Sequence, residues 1–248
     1  FVDHKYGLFF LRGRDELVYT RHTRTRVSGQ RFRRVRRFQK LLRSAPFVRS
    51  LFLAGSGTIS NSKETSDIDF FVVTAENRIW TARFFLTLMT HIRGIRRHGD
   101  KEANRMCLNH YVSETNLTRT DHDVYAAHLY GTLIPLTPDD AYLQAFHEQN
   151  QWIKTYYPHI IVQSHQMLTD TSKPRLKQLC ETLINRSIGD MLEHGLRRLQ
   201  QAKIQTNPPE APDRARVDVS DLELEFHPQP HGPRISHQLQ ERVRNLSA

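Results

Sequence analysis

The spacing of apolar residues changes along this chain, and each change marks a different kind of element. Tyr6-Gly7-Leu8-Phe9-Phe10-Leu11 and Leu17-Val18-Tyr19-Thr20 are aromatic and β-branched runs flanking the charged Arg12-Gly13-Arg14-Asp15-Glu16, which predicts a β-hairpin. It has the form of the wing of a winged-helix module whose helices would precede it. From Ser28 the period is helical. Phe32, Val35, Phe38, Leu41 and Leu42 share a face, while Arg31, Arg33, Arg34, Arg36, Arg37, Lys40 and Arg43 fall largely elsewhere on the wheel, giving an amphipathic basic helix that ends before Pro46.

Residues 47–54 read as a strand, followed by a Gly55-Ser56-Gly57 turn and a short helical or loop segment. Asp67-Ile68-Asp69-Phe70-Phe71-Val72-Val73-Thr74 is a second strand, and 78–97 a long helix with Ile79, Trp80, Phe84, Leu88, Ile92 and Ile95 as its buried stripe. After a polar connection, 106–112 is a third strand. This order predicts an α+β fold with an α/β-like core, a small mixed sheet covered by helices on one side. Beyond Asp121 the pattern is helical, with helices expected near 139–156 and 173–203. Pro208, Pro209 and Pro212 make 206–220 a linker or exposed arm, and a last basic helix is expected at about 234–246. The organisation read from this is a hairpin and basic helix (1–45), a core (46–120), a helical part (121–205), and a linker with a terminal helix (206–248).

Composition adds little to this picture, but charge placement adds a good deal. The chain has 248 residues, 38% hydrophobic and 25% charged, an ordinary soluble composition. Mean hydropathy of −0.60 leans polar. The apolar stretch inside 79–95 is interrupted by Arg83 and His91 and is too short for a membrane span of about 20 residues. Without a charged-then-apolar leader, a cytoplasmic address is expected. Opening at Phe1 rather than Met, the chain reads as a piece of something longer. Cys107 and Cys180, with no CxxC and no His at ligand spacing, argue against a disulfide framework or zinc site and read as small core residues. Net charge is +10, and residues 1–50 hold 14 Lys or Arg against 3 Asp or Glu, so the whole excess is N-terminal. Such a field attracts phosphate, including that of nucleic acid, although a merely solvated helix face would look the same.

The chemistry concentrates in Gly55-Ser56-Gly57 and in Ser66-Asp67-Ile68-Asp69. Strand alternation puts Asp67 and Asp69 on one side, roughly 7 Å apart along the chain. At an effective dielectric of about 20, like charges about 4 Å apart repel by roughly 4 kcal/mol, so such a pair calls for a cation or a raised pKa. Oxygen donors suit Mg²⁺ or Mn²⁺. Gly55 and Gly57 let backbone approach a ligand closely, and turn amides with the Ser56 hydroxyl can hold phosphate oxygens.

An apolar strand, Gly55-Ser56, a short helical segment and then Asp67-x-Asp69 opening the next strand resemble the signature of the nucleotidyltransferase superfamily, the DNA polymerase β-like fold. The separation of 11 residues between Ser56 and Asp67 is similar to the minimal-nucleotidyltransferase pattern. The resemblance covers about 47–112 and implies metal-dependent transfer of a nucleoside monophosphate from an NTP. In it Asp67 and Asp69 hold metal, while Gly55, Ser56 and Ser66 hold nucleotide. The remaining parts resemble an uncharacterised prokaryotic group carrying this domain, which supplies no acceptor. This chain departs from the pattern in two places. Ser60 stands where many members have a second glycine, and Asn109 stands where a third carboxylate is expected. Asn109 as a third site residue keeps an oxygen but removes a charge, which leaves open a catalytically silent nucleotide- or nucleic-acid-binding module, or an interaction protein of the toxin–antitoxin kind. Arg83 and Lys101 are phosphate-ligand candidates whose simpler reading is surface or helix-flank charge.

Overall fold

The computed structural model describes residues 1–99, 101–137, 141–158, 174–184, 186–206, 216–227 and 232–247. In chain order the elements are β1 (Val2–Lys5), β2 (Leu8–Leu11), α1 (Glu16–Arg43), β3 (Val48–Leu53), a 3-10 turn (Gly55–Gly57), β4 (Ile68–Thr74), α2 (Ile79–Ile92), β5 (Met106–Ser113), α3 (Val124–Gly131), β6 (Ile134–Pro135), α4 (Ala141–Gln149), α5 (Ile153–Tyr156), α6 (Arg175–Leu183), α7 (Arg186–Gln205), β7 (Arg216–Val219), β8 (Glu223–His227) and α8 (Gly232–Ser247). The fold is α+β, with an N-terminal hairpin, a mixed sheet and a helical C-terminal region.

Among the described residues the main sheet runs β6-β3-β4-β5-β8-β7. Only β4 and β5 are parallel neighbours, and the other pairings are antiparallel. Ile68, Phe70 and Val72 of β4 pack into a core with Val35 and Leu42 of α1, Trp80 and Leu86 of α2 and Leu196 of α7. Phe71 and Val73 face a second core with Ala127 and Tyr130 of α3, Phe146 of α4 and Ile153 of α5. Burial on both faces is why 70–73 is an unbroken apolar run instead of an alternation. Helices therefore cover both sides of the sheet, not the single side expected. The second layer comes from short helices such as α3, eight residues long, in which helical periodicity is hard to read.

Other boundaries differ from expectation as well. The hairpin turns at Tyr6-Gly7, both in the left-handed region at φ 51° and 75°, and its strands are β1 and β2. Leu17–Thr20 opens α1 instead of forming a strand, because a four-residue apolar run carries no decisive period. The predicted 173–203 helix is split into α6 and α7, whereas α8 lies where the terminal helix is expected. Part of the expected linker, 216–219, is β7, which with β8 extends the sheet beyond β5. Residues 207–215 of that linker, and the expected helix start at Asp139, lie outside the described residues. No helix among those described is long and apolar enough to cross a membrane.

The start of α2 shows how the layers lock together. Its N-cap residue Arg78 makes no side-chain cap. Instead Glu193 of α7 accepts from the Trp80 and Thr81 amides at 2.9 and 2.8 Å, satisfying donors that a helix start leaves open.

Candidate functional site

The turn after β3 brings the glycine and the carboxylates together. Gly55 has φ +71°, and a Cβ built on it would lie 2.7 Å from Asp69 Oδ2, so no other residue fits without moving that carboxylate. The Ala54 amide bonds the Asp69 carbonyl at 3.0 Å, tying the turn to β4. Thr58 closes it by donating its hydroxyl to the Gly55 carbonyl at 2.8 Å, and Asn61 donates its amide to the Ser56 carbonyl at 2.9 Å. Ser60 has φ 55°, so the position where the superfamily pattern has glycine does take up a left-handed conformation in this chain.

Asp67 and Asp69 converge with Cys107 of β5, the ligand atoms of the three all lying within 4.8 Å of one another. Asp69 and Cys107 are direct partners in the β4–β5 register. Past them the register shifts, Phe71 pairing with His110, so that Leu108 and Asn109 together oppose Phe70 in a bulge. Asn109 thus sits two residues beyond the position opposite Asp69, and Cys107 occupies it. The Arg97 guanidinium completes the cluster: Nη1 lies 2.7 Å from Asp67 Oδ2 and 3.8 Å from Cys107 Sγ, and Nη2 bonds Glu102.

Burial, and then the neighbouring Asp67 charge, pushes the Asp69 carboxyl up to about 7, with Arg97 working the other way. Burial and the two aspartates likewise raise the Cys107 thiol. The site thus contains two acids and a thiol that cannot all ionise cheaply unless a cation is beside them.

Helix α1 positions the loop that carries Asp67. Arg31, only 4% exposed, donates through Nη2 to the carbonyls of Lys63, Glu64 and Ser66, the shortest contacts being 2.6 Å. Nearer the start of α1, Arg21 donates to Ile59 and Ser60 carbonyls and Arg24 to Asn61 Oδ1. Ser28 and Arg31, with Gly57, Ser62, Asp67 and Asp69, line a cavity of about 10 Å³, roughly the room one water needs. In the sequence Arg31 is one more charge of the basic helix. What marks it out is its place between Val27 and Val35, both buried, at i±4 on the inward stripe.

The other candidates separate. Ser66 accepts the Lys63 amide at 3.3 Å and so turns its hydroxyl back on its own loop. Arg83 donates to Gln200 on α7 and stacks over Phe226, within the α2 layer. Lys101 is exposed. Arg97, which no sequence motif singles out, pairs directly with Asp67. Cys107 is buried, as its reading as a core residue requires, but its thiol faces the acids.

A second polar group holds β8 against β5. His110 Nε2 lies 3.0 Å from Glu223 Oε1, and Arg119 bonds the same carboxylate. Burial would raise Glu223, but His110 and Arg119 hold it below the ordinary range. This buried network secures the sheet extension that hydrophobic periodicity does not reveal.

Comparison with protein-family models, with curated proteins and with solved structures gives no match to this chain.

Proposed function

We propose that the chain is a metal-dependent nucleotidyltransferase that moves a nucleoside monophosphate from an NTP to an acceptor. The observation that carries this reading is the convergence of Asp67 and Asp69 beside Gly55, where the absence of a side chain lets Asp69 Oδ2 lie close against the turn backbone. The donor set fits a divalent cation, since Arg97 pairs with Asp67 yet burial and the Asp67 charge still hold Asp69 up to about 7, and a cation beside it would favour its ionised form. Asp67 and Asp69 would hold it, while the Ser56 hydroxyl and the amides of the Gly55–Gly57 turn would hold phosphate oxygens. Mg²⁺ or Mn²⁺, when bound, supplies neutralisation of the triphosphate charge. In the transfer an acceptor oxygen bonds the α-phosphorus, its proton passes to water, and the bond to the bridging oxygen breaks to release pyrophosphate.

The test is a thermal shift with each NTP and Mg²⁺ or Mn²⁺, together with pyrophosphate release from labelled NTP. A ligand selective for the native state raises the melting temperature by mass action. Asp67→Asn with Asp69→Asn should abolish the rise, and an unchanged metal-dependent shift in that variant overturns the assignment.

A second reading, a binding module without turnover, is favoured by β5, which offers Cys107 and Asn109 and no carboxylate. A shift without pyrophosphate release would select it.

A further inference from the structure

We propose that Cys107 is the third ligand of the cation site formed by Asp67 and Asp69, so that this site prefers a thiophilic divalent ion such as Co²⁺, Zn²⁺ or Cd²⁺ over Mg²⁺. The inference rests on the reading of the aspartate pair as a cation site, and it replaces the all-oxygen donor set expected there with a mixed one.

Register is the first support. Cys107 is the residue directly across from Asp69 in the parallel pair, and the bulge that follows carries Asn109 away from that position. Distance is the second. The ligand atoms of Asp67, Asp69 and Cys107 lie within 4.8 Å of one another. Bonds of about 2.0–2.3 Å to oxygen and sulfur around one tetrahedral ion would set them about 3.5 Å apart, a closure within reach of side-chain rotation.

The third support is a charge already in place. Arg97 Nη1 contacts both Asp67 Oδ2, at 2.7 Å, and Cys107 Sγ, at 3.8 Å. Positive charge is therefore already seated against two of the three donors, the Asp67 carboxylate and the Cys107 sulfur. Its other nitrogen is tied to Glu102, whose side chain is about half exposed, which gives the guanidinium somewhere to go when it is displaced.

Donor chemistry then decides the ion. Hard Mg²⁺ demands oxygen ligands in octahedral geometry and holds its water firmly, whereas thiolate selects softer ions. A coordinating thiol loses its proton to the metal's field, so the ion would bind with release of a proton.

The experiment titrates Co²⁺ anaerobically into the full chain without nucleotide and follows the near-ultraviolet thiolate-to-metal charge-transfer band, with Cd²⁺ and Mg²⁺ affinities measured by calorimetry. The band is expected in the wild type and in Cys180→Ser, and should be lost in Cys107→Ser. Cd²⁺ should bind at least tenfold more weakly to Cys107→Ser, with Mg²⁺ little changed. In Cys107→Asp the preference should reverse toward Mg²⁺. Cys107→Ala, checked for a native melting transition, serves if the buried acid prevents folding. Co²⁺ binding without a band, or a band that survives in Cys107→Ser, overturns the inference. A wild-type Mg²⁺–NTP thermal shift with no thiolate band sinks this inference alone. A thiolate band with no nucleotide effect instead sinks the nucleotidyltransferase reading and leaves the metal site standing.

Discussion

Arg97 Nη1 lies 2.7 Å from Asp67 Oδ2, so an arginine of the chain itself pairs with an acid proposed to hold a cation. A metal ion bound at Asp67 would compete with Arg97 for that carboxylate. Arg97→Met should therefore tighten Mn²⁺ binding in the absence of nucleotide, by up to about tenfold, or ~1.4 kcal/mol. The same variant should melt lower without metal, because Asp67 and Asp69 then repel unscreened. Calorimetry of Mn²⁺ binding and metal-free melting check both halves. Weaker binding would mean that Arg97 supports the cation and does not stand in for it.

Asp69 sets a pH dependence of stability. Its carboxyl is pushed up to about 7, mainly by burial, from an ordinary 3.8. Between those values the folded chain holds a proton that the unfolded chain has released, so this group's contribution is full below about 4 and is lost as pH rises to about 7. Metal-free melting temperature should fall over that window. Asp69→Asn should flatten the slope, and saturating divalent ion, which holds the carboxylate ionised, should flatten it too. A slope unchanged in Asp69→Asn would place the titration elsewhere.

Ser60 sits at φ 55°, which a side chain makes costly by roughly 1–2 kcal/mol. Glycine removes that strain but adds freedom to the unfolded chain. Ser60→Gly is expected to stabilise by about 0.5–1 kcal/mol in denaturant unfolding. A destabilised variant would show that the Ser60 side chain itself holds the loop.

The exposed Arg33, Arg36 and Arg37 of α1 are expected to bind nucleic acid through its phosphates. Replacing all three by alanine should weaken binding across sequences and reduce the dependence of log K on log salt by about 0.9 for each phosphate that is no longer neutralised. Fluorescence anisotropy at several salt concentrations measures it. An unchanged slope would make this surface a solvated face.

Glu193 should matter for folding more than its polar character suggests, since it caps α2 across the α2–α7 interface. Glu193→Ala is expected to cost about 1–2 kcal/mol by leaving buried helix-start amides unpaired, as read from urea unfolding.

The sequence alone determined whatever depends on near neighbours. Phe70-Phe71-Val72-Val73 announced a buried strand, Phe32 with Val35 and Phe38 a helical face, and Gly55-Ser56 with Asp67-x-Asp69 a turn facing paired acids. In each case a local period or a glycine's conformational freedom carries the information. Tertiary structure decided which distant side chains meet. The β4–β5 register, with its bulge, brought Cys107 opposite Asp69 and left Asn109 two residues further on. The chain after α2 returned Arg97 to Asp67 across 30 positions. The pairing of β8 with β5, held by His110 and Glu223, and of β7 with β8 turned part of an apparent linker into sheet. Register and long-range ion pairs are settled by packing of whole layers against each other, and a one-residue slip exchanges every side chain between faces, so the local pattern leaves them undetermined.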